Sequence, residues 1–209
     1  TLFNTFSTNT YIRFNMIKKI VLYAILLLTS VLLSRYIYTI SVQRNEVEYH
    51  LNFVKSIFLA SNSFPLNGPI PIEYTGEGQE ISPELHWDNI PEGTKSFVIL
   101  CTDYDGPAPW LPLLTIDHWV VYNIPATKHS LSKGTAVVQL QNEGILSGKN
   151  FKETYTYIGP KPPIGKHRYF FRVYALSVPD LQLTNPTKQE VMDAMKNYVL
   201  AYGELVGVY

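Results

Sequence analysis

The sequence predicts a mainly β domain with few helices, one of them C-terminal, preceded by an N-terminal hydrophobic helix. Three observations predict it. Short apolar runs rich in β-formers are separated at regular intervals by proline and glycine. All 14 prolines fall between Pro65 and Pro186, so the first 64 residues have none. The charge divides at the same place: residues 1–45 carry Arg13, Lys18, Lys19, Arg35 and Arg44 and no acid, a charge of +5, whereas residues 46–209 carry −5.

The N-terminal part reads as an appendage. Residues 1–15 precede Met16 and are polar, dotted with aromatics and aperiodic; they are left as an unassigned leader, with no function. Met16-Ile17-Lys18-Lys19 then leads into Ile20–Ser34, which has no charged residue. Basic-then-apolar is the layout of a signal peptide or membrane anchor, here placed over residues 16–45. Fifteen helical residues rise roughly 22 Å, short of the ~30 Å hydrocarbon core, but Tyr36–Ile40 extend the span and Arg35 can snorkel. Leu32-Leu33-Ser34 is a poor cleavage site, so an uncleaved anchor is favoured over a cleaved signal. A buried hydrophobic helix is the remaining alternative. Lys18 and Lys19 favour a cytoplasmic N-terminus, which would put the β domain on the periplasmic or extracellular face.

Residues 50–209 form the expected domain, folding as a soluble monomer without the appendage. Val54–Leu59 reads as a first strand, Pro65–Gly78 as loop and Pro83–Trp87 as a short strand. Ser96–Thr102 (SFVILCT), His118–Ile124 (HWVVYNI) and Tyr169–Leu176 (YFFRVYAL) are near-continuous apolar runs, as in strands buried on both faces. Thr187 and Glu190 form a capping box after Pro186. Apolar residues then recur at helical spacing from Val191 through Val199 to Tyr202, and Gly203 ends the predicted helix. Leu205–Tyr209 reads as a last strand.

Composition excludes several function classes. Lys plus Arg and Asp plus Glu are 17 each, which argues against a nucleic-acid binder with a broad basic face. With 46% hydrophobic and 16% charged residues, the chain is not a disordered one. Cys101 is the single cysteine, so there is neither an intrachain disulfide nor a cysteine-rich metal knuckle. The elbow of serine hydrolases, the zincin helix, the phosphate loop and the dinucleotide fingerprint are all missing. No nucleophile stands out, and no cofactor is implied.

Three places carry polar chemistry beside apolar runs. Asp103 and Asp105 follow the SFVILCT run and enter a Gly106-Pro107 turn; they are pocket carboxylates or turn-formers bonding nearby N–H groups. His118 opens the next run, as a ligand group or as a satisfied structural histidine. His167-Arg168-Tyr169 opens a third, behind the proline-stiffened loop Gly159–Gly165. If the three ends converge, they make a small polar pocket with a rigid wall. An Asp/His set of this kind can bind an anion, ligate a metal or serve as acid and base.

Five ordered motifs narrow these alternatives. S-P-E-L-H-W (82–87), P-x-G-T-K-S (91–96), D-Y-D-G-P (103–107), H-W-V-V-Y-N-I-P (118–125) and G-P-x-P-P-x-G-x-H-R-Y (159–169), followed by V-Y-A-L (173–176), together resemble the phosphatidylethanolamine-binding protein family. The likeness is to its bacterial and archaeal, Raf-kinase-inhibitor-like branch, over roughly residues 53–209. The resemblance implies a β-sandwich with a small pocket for phosphate-like or phospholipid-headgroup anions, no catalysis, and action on a protein partner such as a kinase or protease. Carried over by position, Asp103, Asp105, His118, Pro162, His167 and Tyr169 are the ligand-binding residues, and Arg168 belongs to structural ion pairing. Protonated His118 or His167 would offset the aspartates. Tyr104 and Gly106 depart from the family's proline and alanine, and Lys161 stands where many bacterial relatives have cysteine. An enzyme or metal site built on Asp103, Asp105, His118 and His167 is the alternative.

Overall fold

In a computed structural model the backbone of residues 2–209 and the side chains of residues 13–209 are described. The leader expected at residues 1–15 falls partly outside these; from Leu2 its backbone is part of the first helix. That helix, α1 (Leu2–Leu51), is followed by β1 (Phe58–Ala60), β2 (Gly68–Pro69), β3 (Leu85–Asp88), β4 (Ser96–Ala108), β5 (Leu111–Pro125) and β6 (Ser130–Leu131). Then come α2 (Val137–Asn142), β7 (Leu146–Ser147), β8 (Arg168–Leu176), α3 (Lys188–Met195) and β9 (Val199–Val208).

The strands form two sheets. The larger has six strands in the order β2-β9-β8-β4-β5-β7, and the smaller has three in the order β1-β3-β6. Only β2 and β9 pair in parallel within these sheets. The three long apolar runs are neighbours at the centre of the larger sheet, and alternate residues serve its two faces. Phe97, Ile99 and Cys101 of β4 join Trp119 and Val121 of β5 and Phe171 and Val173 of β8 in one cluster, which also holds Leu59, Leu85, Trp87 and Leu131 of the smaller sheet. Val98, Leu100, Val120, Tyr122 and Tyr174 point the other way, against Val191, Met192 and Met195 of α3. Burial on both faces is why these strands lack the apolar–polar alternation of a half-exposed sheet. Each fully buried Leu, Ile or Phe contributes about 1.5–3 kcal/mol.

The structure corrects several boundaries. The D-Y-D-G-P segment is not a turn: β4 continues through it to Ala108, with register shifts against β5 between Asp103 and Gly106 and again before Pro107. Accordingly His118 lies in mid-strand rather than at the opening of β5. Of the run Val54–Leu59 only the end is strand, and Lys55 makes an isolated bridge to Tyr202. Helix α3 stops at Met195, and Val199 and Tyr202 belong to β9, paired with Leu176 and Tyr174. Ladder bonds to a central strand outweigh the helical spacing there. Its start is capped by Thr187, whose hydroxyl accepts from Glu190 N–H while the Glu190 carboxylate accepts from Thr187 N–H.

Helix α1 has two environments. From Ile20 to Leu33 its apolar side chains are exposed, and the helix is long and apolar enough to cross a membrane. Thr29, Ser30 and Ser34 turn their hydroxyls back to the carbonyls of Leu26, Leu27 and Val31. Beyond Arg35 the same helix lies on the larger sheet, with Thr39, Glu46 and His50 buried. Gln43 donates to the Tyr104 carbonyl at 2.7 Å, and Tyr49 donates to the Met192 carbonyl at 3.0 Å. The boundary expected near residues 45–50 therefore falls inside one continuous helix.

Candidate functional site

The register of β4 and β8 brings the sequence-predicted residues together, because Asp103 stands opposite Tyr169. Alternation along β4 sends Asp103 and Asp105 to one face and Tyr104 to the other, toward α1. Asp103 is buried and doubly engaged. One of its oxygens accepts from Asp105 N–H at 2.7 Å, and the other meets Nδ1 of His167 at 2.7 Å. Nε2 of His167 faces the Ile164 carbonyl at 3.3 Å, so both ring nitrogens are committed to partners inside the fold. Asp105 is held by Arg168 through the backbone N–H at 3.0 Å and a bidentate guanidinium at 2.7 and 2.9 Å. Burial pushes the Asp105 carboxyl up, but these hydrogen bonds and the Arg168 charge outweigh it and hold the carboxyl below its ordinary value. The aspartates thus pin β4 to the Gly165–Tyr169 segment and offer little free bonding capacity.

His118 is placed differently. Its Nδ1 lies 2.7 Å from the Ile158 carbonyl, which can only accept, so Nδ1 carries the proton and donates. Nε2 is buried and has no partner. Burial pushes the imidazole below its ordinary value, outweighing the Ile158 carbonyl and the Asp103 charge. In the neutral ring Nε2 is an acceptor, which differs from the expected imidazolium donor. Edge-on to this ring, with centroids 5.1 Å apart, stands Tyr169, whose buried hydroxyl is also unpartnered. Burial, reinforced by the Asp103 charge, pushes this phenol up and keeps its O–H available as a donor.

Beside His118 lies a cavity of about 340 Å³, walled by Gly76, Glu80, Ile116, Phe151, Lys152, Ile158, Gly159 and Lys161 besides His118. Its wall depends on a glycine. A Cβ on Gly159 would stand 2.5 Å from the Thr75 carbonyl carbon and 2.6 Å from Gly76 N, so only glycine lets the two loops approach. The Gly76 N–H to Pro160 carbonyl bond, at 2.9 Å, closes the same contact. Lys152 and Lys161 supply positive charge at the wall, with Lys152 3.6 Å from the Glu80 carboxylate. Of the predicted residues only His118 lines this cavity. Asp103, Asp105, His167 and Tyr169 sit behind it, and Pro162 is half-buried in the neighbouring loop. Glu80, Phe151 and Lys152 were missed by sequence reasoning; they come from loops whose residues carry no periodic signal. Among the described residues no group of three His, Cys, Asp or Glu side chains is placed to hold a metal ion.

The sequence profile described as phosphatidylethanolamine-binding protein matches residues 60–209. A UPF0098 protein of Methanothermobacter thermautotrophicus is 39% identical over 153 residues, covering 72% of this chain and 97% of its own length. A UPF0098 protein of Aquifex aeolicus is 40% identical over 152 residues, covering 71% and 85%. The crystal structure of a phosphatidylethanolamine-binding protein homologue from Chlamydia trachomatis superposes with a TM-score of 0.66 at 32% identity, over 74% of this chain and 97% of that one. YbcL of E. coli, described as a member of the mammalian family, gives a TM-score of 0.66 at 27% identity, over 74% and 98%.

Proposed function

This chain belongs to the phosphatidylethanolamine-binding protein family, and we propose that it binds phosphate-like anions, phospholipid headgroups among them, in the cavity beside His118. One observation carries the reading. Two buried polar groups of complementary character are without partners: the acceptor Nε2 of His118, a residue of the cavity wall, and the donor O–H of Tyr169, whose ring stands edge-on behind it. Leaving a buried polar group unbonded costs about 1–3 kcal/mol, so a ligand that satisfies both recovers that cost. A phosphate monoester monoanion does so: its P–OH donates to Nε2, and one of its anionic oxygens accepts from Tyr169. In a phosphatidylethanolamine headgroup, a diester without P–OH, the ammonium is the donor to Nε2. Lys152 and Lys161 offset the charge at the wall.

Asp103, Asp105 and His167 are positioning residues in this reading, and the two sheets form the sandwich that carries the pocket. Binding involves no covalent step. The one thiol, Cys101, is fully buried, and burial pushes it well above its ordinary value. Modulation of a protein partner, which the resemblance also implies, forms no part of the proposal. The exposed apolar stretch of α1 supports attachment to a membrane, and Lys18 and Lys19 before it favour a β domain, residues 50–209, outside the cytoplasm.

Calorimetric titration of the full chain with phosphoethanolamine near pH 6 tests the site. Saturable binding is expected, weakened about ten- to a hundredfold in His118→Ala by loss of one charge-assisted hydrogen bond. Equal affinity in the variant would remove His118 from the site.

A further inference from the structure

Beside the proposed membrane helix stands the tip of the β4–β5 hairpin. It carries Trp110, 70% exposed, and Leu111, 41% exposed. Trp110 is the only exposed tryptophan, since Trp87 and Trp119 are each 2% exposed in the core. The tip abuts the Gly159–Gly165 loop: a Cβ on Gly165 would lie 3.3 Å from Cδ of Pro109 and 3.5 Å from the Trp110 ring. Ile164 of that loop is 49% exposed. Tip and loop thus present Trp110, Leu111 and Ile164 together. The two segments, residues 107–114 and 159–166, contain Lys161 and Lys166 and no acid.

Contacts of α1 fix where this patch lies. Lys188 joins Glu46 at 2.6 Å to Asp117 of β5 at 2.8 Å. Further toward the N-terminus, Arg35 Nη2 reaches the Leu113 carbonyl at 3.4 Å. Moving along α1 toward its apolar stretch therefore means moving along β5 toward the hairpin tip. Trp110 and Leu111 lie two to three residues beyond Leu113, or about 7–10 Å at a strand's rise. That distance corresponds to about five to seven helical residues, level with Leu28–Ser30. Those residues belong to the exposed apolar stretch, inside the candidate span.

We propose that Trp110, Leu111 and Ile164 form a second membrane contact, inserted into the interfacial layer of the bilayer that α1 crosses. The proposal rests on the membrane reading given above. The occupant is a lipid surface. An apolar cluster that includes an indole, flanked by lysines and level with the end of a membrane span, has the composition of an interfacial belt. Because His167 is bonded to Ile164, insertion of the loop holds the His118 cavity near the headgroup layer.

The test uses the full chain reconstituted in phosphatidylcholine vesicles, with tryptophan emission measured while the acyl chains carry bromine at shallow or deep positions. The Trp110→Phe variant gives the background from the two core tryptophans. Shallow bromine is expected to quench most of the emission that Trp110→Phe lacks, and that emission should resist aqueous acrylamide. Protein that floats with the vesicles while Trp110 stays unquenched by bromine and open to acrylamide would overturn the tip contact and leave the membrane reading intact. Protein that does not float with vesicles would overturn both.

Discussion

Glu46 of α1 and Lys188 at the start of α3 form a buried ion pair with nitrogen and oxygen 2.6 Å apart, 142 residues apart in sequence. The pair does not stand alone. Lys188 also meets Asp117 at 2.8 Å, and the second Glu46 oxygen accepts from the Tyr104 hydroxyl, which in turn accepts from Arg172 at 2.8 Å. Tyr104 lies between the two site aspartates on β4. Helix α1 is therefore bonded to the strand that carries Asp103 and Asp105.

Removing one partner of a buried pair leaves the other charge uncompensated, at a cost of about 3–5 kcal/mol. Asp117 still faces Lys188 when Glu46 is lost, so Glu46→Gln is expected at the lower end, about 3 kcal/mol. Denaturant unfolding of the full chain in detergent measures it. A change within 0.5 kcal/mol, about the ordinary effect of a surface substitution, would show that α1 is not docked.

Tyr104→Phe removes the hydroxyl between Glu46 and Arg172. The expected loss is about 1–2 kcal/mol, and it should fall when measured in the Glu46→Gln background, because the two groups share one network. Strict additivity in the double-mutant cycle would mean that the hydroxyl and the carboxylate act separately.

Two acid transitions are expected at different pH. His50 is packed against Tyr174, with Nε2 and the hydroxyl 2.6 Å apart, and burial, followed by the Arg172 charge, lowers its pKa from 6.5 to about 4. The unfolded chain binds this proton near 6.5 and the folded chain does not, so the stabilisation is complete above that value. It is lost between pH 6.5 and 4, by up to about 3 kcal/mol. Burial pushes the Glu46 carboxyl up, but Lys188, Tyr104 and Arg172 outweigh it and leave it below 4.5. Its contribution is present above 4.5 and lost only as pH falls further. Stability against pH should therefore lose its upper slope in His50→Gln and its lower one in Glu46→Gln. An upper slope that survives in His50→Gln would assign it to another group.

Gly159→Ala is expected to damage the cavity more than the fold. Its Cβ would meet the Thr75–Gly76 backbone, and overpacking of this kind costs about 1–3 kcal/mol. Phosphoethanolamine affinity should fall while the circular dichroism spectrum stays that of the parent. Unchanged affinity would separate this wall from binding.

What the sequence made readable follows from what each residue must do. The runs in β4, β5 and β8 are legible because both faces of their sheet are buried. Asp103-Tyr104-Asp105-Gly106-Pro107 looks like a turn by composition, yet it is strand: its carboxylates are consumed by His167 and Arg168, a pairing that only the β4–β8 register creates. The spacing Val191–Tyr202 fits a helix through to Tyr202, but β8 needs a partner and takes Val199 onward. Docking of α1 is least legible. It uses Gln43, Glu46 and His50 rather than an apolar stripe, and the only hint is that Glu46 ends a 45-residue stretch without an acid. The protonation of His118 depends on burial and on the Ile158 carbonyl, neither of which a sequence shows.

The central claim, that Nε2 of His118 is a free acceptor awaiting a phosphate-like donor, is tested most directly by nitrogen-15 NMR of histidine-labelled protein. Before ligand is added, at neutral pH, His118 should show a protonated Nδ1 and an unprotonated Nε2. Adding inorganic phosphate near pH 6 should shift the Nε2 resonance toward the hydrogen-bonded or protonated range, and Tyr169→Phe should weaken the response. An Nε2 that is already protonated without phosphate, or one that phosphate leaves unmoved at saturation, would contradict the account.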